Sequence, residues 1–263
     1  MKTLTAISAV RDWRRQDAAP LGLVPTMGYL HAGHRSLLDR ARRENDRVAA
    51  SLFVNPAQFD QAADLAGYPR DEERDLQIAE EEGVDVLFAP AADELYPAGF
   101  GTWVDVDATG AEGTSRPGHF RGVATVCVKL FNLVRPQRAY FGQKDAQQAA
   151  VLRRVVRDLN LDIEIRVLPT IRDKDGLAIS SRNVQLSPEE RTQALALPRA
   201  LARGAEVYTQ GGDPVAATRS AFNGVQPDYV ELVGVGNATL LAAAIKVGNT
   251  RLIDNVLLKG DLS

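Results

Sequence analysis

The first two-thirds of this chain alternates strand-like with helix-like segments, and that alternation constrains its fold more than any other feature. Leu21-Gly-Leu-Val24 reads as a short buried strand. It runs through a turn-rich stretch into a helix over residues 34–45, where Leu37, Leu38 and Ala41 share one face. Residues 48–54 read as the next strand, closed by Asn55-Pro56. An acidic helix over 71–82 stops at Gly83, a good residue for a helix end. Residues 84–88 read as a strand and 123–134 as a helix. Residues 139–141 form a short strand. Residues 145–160 form a helix with Leu152, Val155, Val156 and Leu159 at i, i+3, i+4, i+7, and 163–168 form a strand. Alternation of this kind predicts parallel pairing with right-handed crossovers, so an α/β sheet covered on both faces.

The pattern changes at the polar turn Asp173-Lys-Asp-Gly176. Ser187-Pro-Glu-Glu190 is a helix start with a capping box, predicting a helix to about Tyr208 that Pro198 kinks. Gly211-Gly212 breaks the chain, Asp213-Pro214 opens a short helix, and residues 229–233 and 251–258 read as strands. The expected organisation is a larger α/β domain over 1–172 and a smaller α+β domain over 173–263.

The 263 residues carry 31 basic and 34 acidic side chains, a net charge of −3. That balance gives no reason to expect nucleic-acid or membrane binding through bulk charge. The single cysteine, Cys127, sits in an apolar run and reads as a small buried hydrophobe. Arg11 interrupts the apolar N-terminal stretch, so no signal peptide is expected. No run approaches transmembrane length, and a cytoplasmic location is the default.

Only three histidines occur: His31, His34 and His119. Two of them lie in His31-Ala-Gly-His34, just past a strand and at a helix start. An open α/β sheet places its ligand site at such a strand end. A helix N-terminus favours a phosphate, and Gly33 permits close approach. Residues three apart share a helix face, so both imidazoles can reach one triphosphate. On these residues alone a structural pair of histidines is an equal reading. A metal site is disfavoured, because acidic and thiol partners are missing nearby.

Reading outward changes the balance. Pro25-Thr-Met-Gly-Tyr-Leu-His-Ala-Gly-His34 resembles the ATP-binding signature of the nucleotidylyl-transferase superfamily, and within it that of the pantoate–β-alanine ligase (pantothenate synthetase) family. Further stretches match that family in the same order: Phe53-Val-Asn-Pro-Ala-Gln-Phe59, Tyr68-Pro-Arg70, Arg116-Pro-Gly-His-Phe-Arg-Gly-Val123, Lys129-Leu-Phe-Asn132, Phe141-Gly-Gln-Lys-Asp-Ala-Gln-Gln148 and Ser180-Ser-Arg-Asn183. A weaker match recurs at Asp228-Tyr-Val-Glu-Leu232.

The resemblance implies a Rossmann-like sheet with a C-terminal lid domain. It implies ATP as substrate with Mg²⁺, and a homodimer. It also implies a two-step reaction in which pantoate attacks the α-phosphorus, and β-alanine then displaces AMP from pantoyl adenylate. The implied ATP-binding residues are Pro25, Thr26, Met27, Gly28, Tyr29, Leu30, His31, Ala32, Gly33, His34, Gly142, Gln143, Lys144, Asp145, Ile171, Ile179, Ser180, Ser181 and Arg182. His34 is the implied proton donor, with His31, Lys144 and Arg182 completing the catalytic set. Preorganised donors of this kind contribute about 3–4 kcal/mol each. Lys144 offers a point charge and Arg182 a planar fork.

Gln58 and Gln148 are the implied pantoate and β-alanine contacts, since an amide both donates and accepts. Asn55 and Met27 are neighbours, although Asn55 also suits a turn cap. Asp145 suits a helix cap, a ribose contact or a magnesium contact. His119 reads as structural, and Arg116 and Arg121 as flanking the pocket. The metal ligands stay open.

Three positions depart from the family pattern. Gln143 replaces the usual glutamate, Ile179 replaces methionine or leucine, and residues 234–237 lack an expected acidic residue. Another nucleotidylyltransferase with the same histidine motif, or a non-catalytic nucleotide sensor, remains an alternative.

Overall fold

The computed structural model describes residues 1–262. The first part of the chain runs β1 (Lys2–Leu4), α1 (Ile7–Gln16), β2 (Leu21–Thr26), α2 (Ala32–Glu44), β3 (Arg47–Leu52), α3 (Ala62–Gly67), α4 (Glu72–Glu81), β4 (Val86–Phe88), α5 (Ala92–Leu95), α6 (Ala111–Ser115), α7 (His119–Val134), β5 (Arg138–Gly142), α8 (Ala146–Asp158) and β6 (Glu164–Leu168). The C-terminal part adds α9 (Pro188–Ala194), α10 (Ala196–Thr209), α11 (Pro214–Ala221), β7 (Pro227–Val235), β8 (Ala238–Val247) and β9 (Thr250–Lys259).

The first six strands form one parallel sheet in the order β1-β4-β3-β2-β5-β6. Alternate residues of each strand feed opposite faces. Val24, Val48, Ala50 and Leu87 meet Leu37, Leu38 and Ala41 of α2 and Ala79 of α4 on one face. Leu21, Leu23, Ala139 and Phe141 meet α7 and α8 on the other, through Val123, Phe131, Ala149 and Leu152. The expected doubly covered α/β sheet is therefore present. Strand order reverses direction between β2 and β5, which opens a crevice at their carboxyl ends.

The C-terminal elements form a three-stranded antiparallel sheet, β7-β8-β9, with helices against it. Its middle strand was not expected from sequence. Along β8, Leu240, Ala242 and Ala244 join the large core beside α8, while Leu241, Ala243 and Ile245 join a second core with α10. Both faces are buried, so the sequence shows no polar alternation. Its alanines and leucines mimic a helix instead.

The single helix expected from Ser187 to Tyr208 is two. The capping box at Ser187 and Glu190 is present, but the chain breaks at Leu195. Pro198 then falls in the first turn of α10, where its missing N–H costs no helical bond and no kink is needed.

Candidate active site

The two strands flanking the crevice deliver the two motifs singled out by sequence. β2 leads into His31-Ala-Gly-His34, and β5 leads into a single 3₁₀ turn, Gln143–Asp145, that carries Lys144. A cavity of about 1060 Å³ opens between them. Its walls include His31, His34, Met27, Gln58, Lys144, Gln148, Ser180, Ser181 and Arg182. The C-terminal sheet closes one side through Asp228, Arg251, Asp254 and Asn255.

His31 is the N-cap of α2. Its Nδ1 accepts from the Gly33 amide at 3.1 Å, and the His31 amide donates to His34 Nδ1 at 3.3 Å. A histidine pair thus forms the capping box that Ser and Glu usually form. Both Nδ1 atoms receive an N–H, so both neutral rings carry their proton on Nε2. The ring centroids are 4.1 Å apart. Gly33 is required here, because a Cβ would sit 2.9 Å from His31 Cε1. Burial, with Lys144 adding to it, pushes His31 down to about 4. Burial, then the His31 and Lys144 charges, pushes His34 well below its ordinary value. Both are neutral at pH 7.

Asp75 of α4 is the residue that sequence reading missed. It is 1% exposed and accepts from the Leu30 amide at 2.6 Å and the Tyr29 amide at 2.7 Å. Burial pushes its carboxyl up and the two amide bonds pull it back. These bonds hold Tyr29 at φ 53°, a left-handed conformation rare for a non-glycine residue. They fix the turn that aims the histidines.

The second amide site is equally indirect. Asn55 is 1% exposed, and its amide donates to Gln58 Oε1 (3.0 Å) and the Gly122 carbonyl (3.2 Å). Its Oδ1 accepts from the Ala57 amide at 3.3 Å. Asn55 is a turn cap whose donors are spent, and it steers Gln58. The Gln58 carbonyl takes Arg116 (3.2 Å) and His119 (2.8 Å), so His119 holds backbone, as expected. Gln58 Nε2 reaches Met27 Sδ at 3.2 Å. The Gln148 amide has no protein partner among the described residues.

Other expectations need correction. Arg116 lines the cavity but Arg121 does not; it stacks over Trp103 at 4.7 Å, beside a separate recess of about 210 Å³. Asp145 precedes α8 without capping it, because its carboxylate turns back to Lys144 Nζ at 3.3 Å. Gly28, Tyr29, Leu30 and Ala32 shape the histidine turn from outside the cavity wall. Gln143 also lies off the wall, and its amide bonds Asn255. Arg182 pairs with Asp64 of α3 through Nε and Nη2, at 3.0 Å for the shortest contact, and this leaves Nη1 for another acceptor. Ser181 gives its hydroxyl to Tyr68 (3.1 Å), and Ser180 caps the Arg182 amide (3.3 Å). Cys127 is buried, and burial pushes its thiol up to about 12. Among the described residues no group of three His, Cys, Asp or Glu is placed to hold a metal, and no helix is long and apolar enough to cross a membrane.

Comparison with known proteins gives one answer. The Pantoate-beta-alanine ligase family model matches residues 1–257. A pantothenate synthetase from Moorella thermoacetica is 51% identical over 280 aligned residues, covering 98% of this chain and 99% of that protein. One from Geobacter sulfurreducens is 50% identical and covers 94% of each. The crystal structure of pantothenate synthetase from Thermus thermophilus superposes with a TM-score of 0.93 at 46% identity, over 99% of this chain and all of that one. A Francisella tularensis pantoate–β-alanine ligase, complexed with beta-gamma ATP and β-alanine, superposes with a TM-score of 0.86 at 35% identity over the whole of both chains.

Proposed function

The chain belongs to the pantoate–β-alanine ligase family, and from that premise we propose how its cavity carries out the ATP-dependent joining of pantoate to β-alanine. The observation that carries the reading is the meeting, at the β2/β5 crevice, of two neutral histidines, Lys144 and Arg182 with the amides Gln58 and Gln148. At about 1060 Å³ the cavity is at the upper end for small-molecule sites, so it has room for more than one ligand.

In the first step a pantoate carboxylate oxygen bonds to the α-phosphorus of ATP. The bond from that phosphorus to the bridging oxygen breaks, and pyrophosphate leaves. Negative charge grows on the phosphates, where the Nε2–H groups of His31 and His34 donate hydrogen bonds. Lys144 supplies a full charge, and Arg182 offers its Nη1 edge. The phosphate charge raises the pKa of both histidines, and we assign the proton donation to His34. Gln58 and Gln148 hold the pantoate hydroxyl and carboxylate without a formal charge that would restrain the nucleophile. In the second step the β-alanine amine attacks the acyl carbon of the adenylate. The C–O bond to AMP breaks, and the amine loses a proton.

Mg²⁺ would fit this donor set as an ion carried on ATP phosphates, with Asp145, a cavity-lining carboxylate beside Lys144, able to hold it; such sites need only one or two protein carboxylates. When bound, it neutralises phosphate charge. We divide the chain into a nucleotide- and pantoate-binding domain (1–172) and a C-terminal lid (173–263), whose closure keeps water from the adenylate. Homodimeric assembly and a cytoplasmic location complete the reading, and light scattering at twice the chain mass tests the first.

The decisive assay is isotope exchange of pyrophosphate into ATP with pantoate alone, followed by AMP release on adding β-alanine. Exchange that ignores pantoate would exclude this function. It would favour another nucleotidylyltransferase, or, if exchange is absent, a nucleotide sensor. His34→Ala should abolish exchange with the fold intact; unchanged turnover removes His34 from the mechanism.

A further inference from the structure

Lys144 is poorly held by its own side chain. Its one ion pair among the described residues is with Asp145, whose side chain is 45% exposed. Where its stem starts is set by its backbone, the short 3₁₀ turn Gln143–Asp145. That turn is gripped from a strand more than a hundred residues later. Asn255 of β9 donates from Nδ2 to the Gln143 carbonyl at 2.8 Å and to the Lys144 carbonyl at 3.0 Å. Its Oδ1 accepts from Gln143 Nε2 at 3.0 Å. Both donors of the amide are used, and both go to the turn that presents Lys144.

Asn255 is itself fixed. It is 1% exposed. Its own N–H donates to Asp254 Oδ1 at 2.8 Å, and its carbonyl accepts from Arg172 Nη2 at 3.3 Å. Asp254, also 1% exposed, takes the Arg172 fork at 2.6 and 3.0 Å. An amide locked at its backbone is a rigid ruler. The turn does not need it to anchor α8, since Ala146, Ala149 and Leu152 bury that helix in the core independently.

We infer that Asn255 is a positioning residue for Lys144, through which the C-terminal sheet sets the distance between the lysine ammonium and the ATP phosphates. This rests on Lys144 being a phosphate contact. The side-chain amide of Gln143 completes the grip, which gives the glutamine at that position a function a carboxylate would perform differently: it donates to Asn255 Oδ1, and a carboxylate has no N–H to donate.

The test is a cycle of wild type, Asn255→Ala, Lys144→Ala and the double variant. Pantoate-dependent pyrophosphate exchange, KM for ATP, KM for pantoate and Tm are measured on each. Asn255→Ala should lower exchange kcat/KM for ATP by about 10- to 10²-fold, the scale of a misplacement near 1 Å. The KM for pantoate should stay within about 3-fold. In the Lys144→Ala background the same change should add less than about 2-fold, the size of ordinary additivity error.

If the two losses multiply in full, or Asn255→Ala matches wild type, Asn255 does not act through Lys144 and the inference is overturned while the lysine's role stands. If Lys144→Ala alone is near wild type, the phosphate reading fails first and the inference with it. Should Asn255→Ala melt below the assay temperature, Asn255→Ser keeps a small donor and carries the same comparison.

Discussion

The paired histidines make a prediction with a definite sign. His31 is held down to about 4 in the folded chain against 6.5 when unfolded. Below pH 6.5 the unfolded chain takes up a proton that the folded chain refuses, so stability is full above that pH and falls as the pH drops toward 4. At about 1.4 kcal/mol for each pH unit below 6.5, lowering the pH from 7 to 5 removes about 2 kcal/mol through His31 alone. His34 acts in the same direction. His31→Asn keeps an oxygen to accept the Gly33 amide but cannot titrate, so its loss of unfolding free energy over this range should be smaller by about 2 kcal/mol.

Two measurements check this. Urea unfolding at pH 7 and 5 gives the difference between the two proteins. With only three histidines, long-range ¹H–¹⁵N spectra resolve each ring. His31 and His34 should show the Nε2–H tautomer and His119 the Nδ1–H tautomer, with His31 mostly unprotonated at pH 5 and His34 titrating well below the ordinary histidine range. ATP should raise both pKa values, because its charge opposes that of Lys144. An Nδ1–H tautomer at His31 or His34, or titration above pH 6 in the empty protein, would refute the reasoning.

Other expectations follow from single contacts. Gln58→Ala should raise the Kd for pantoate by about 10-fold, the worth of one hydrogen bond to a charged group, and lower Tm modestly because the buried Asn55 amide loses its Oε1 acceptor; an unaltered Kd in calorimetry contradicts its role. Gly122→Ala places a Cβ 2.2 Å from the Ala57 carbonyl oxygen and 2.7 Å from the Gln58 amide. It should cost about 1–3 kcal/mol in denaturant unfolding and weaken pantoate binding together with stability. Cys127 should resist thiol reagents in the native protein and react only after denaturation, since it is buried with its thiol pushed up to about 12; rapid native labelling would contradict its burial.

Five of the six strands of the parallel sheet were legible because each leaves a period or an apolar run and turns with Gly, Pro and Asn separate them; β1, three residues on the sheet edge, leaves neither and was missed. β8 was not legible, since burial on both faces erases the alternation that marks a strand. The residues proposed for the chemistry stood in local motifs, and the fold brings them to one cavity: His31 and His34, Lys144, Arg182 and the two glutamines. What supports them was not legible. Asp75 acts on amides 45 residues earlier, and Asn255 on carbonyls 111 residues earlier. A bond to backbone imposes no residue type on its partner, so neither end carries a signature. Arg121 failed for a related reason: adjacency to Arg116 in sequence does not survive the turn into α7, where it faces Trp103 instead.

This division has a physical cause. A side chain that must bind phosphate has to keep its donors unspent in the empty enzyme, so it cannot fix itself by hydrogen bonds to the protein. Both histidines spend only Nδ1 and keep Nε2–H. Lys144 keeps its ammonium but for one exposed carboxylate, and the amide of Gln148, proposed for pantoate, has no protein partner among the described residues. Their orientation must then be imposed through backbone, by groups buried enough to have no competing solvent partner. Asp75, Asn55 and Asn255, each 1% exposed, are such groups. Arg182 is the exception that fits the same logic. It has five donors, so it can give Nε and Nη2 to Asp64 as an anchor and still present Nη1. A lysine in its place would have to choose between anchor and substrate, which is why Arg182→Lys should lose ATP affinity although the charge is kept.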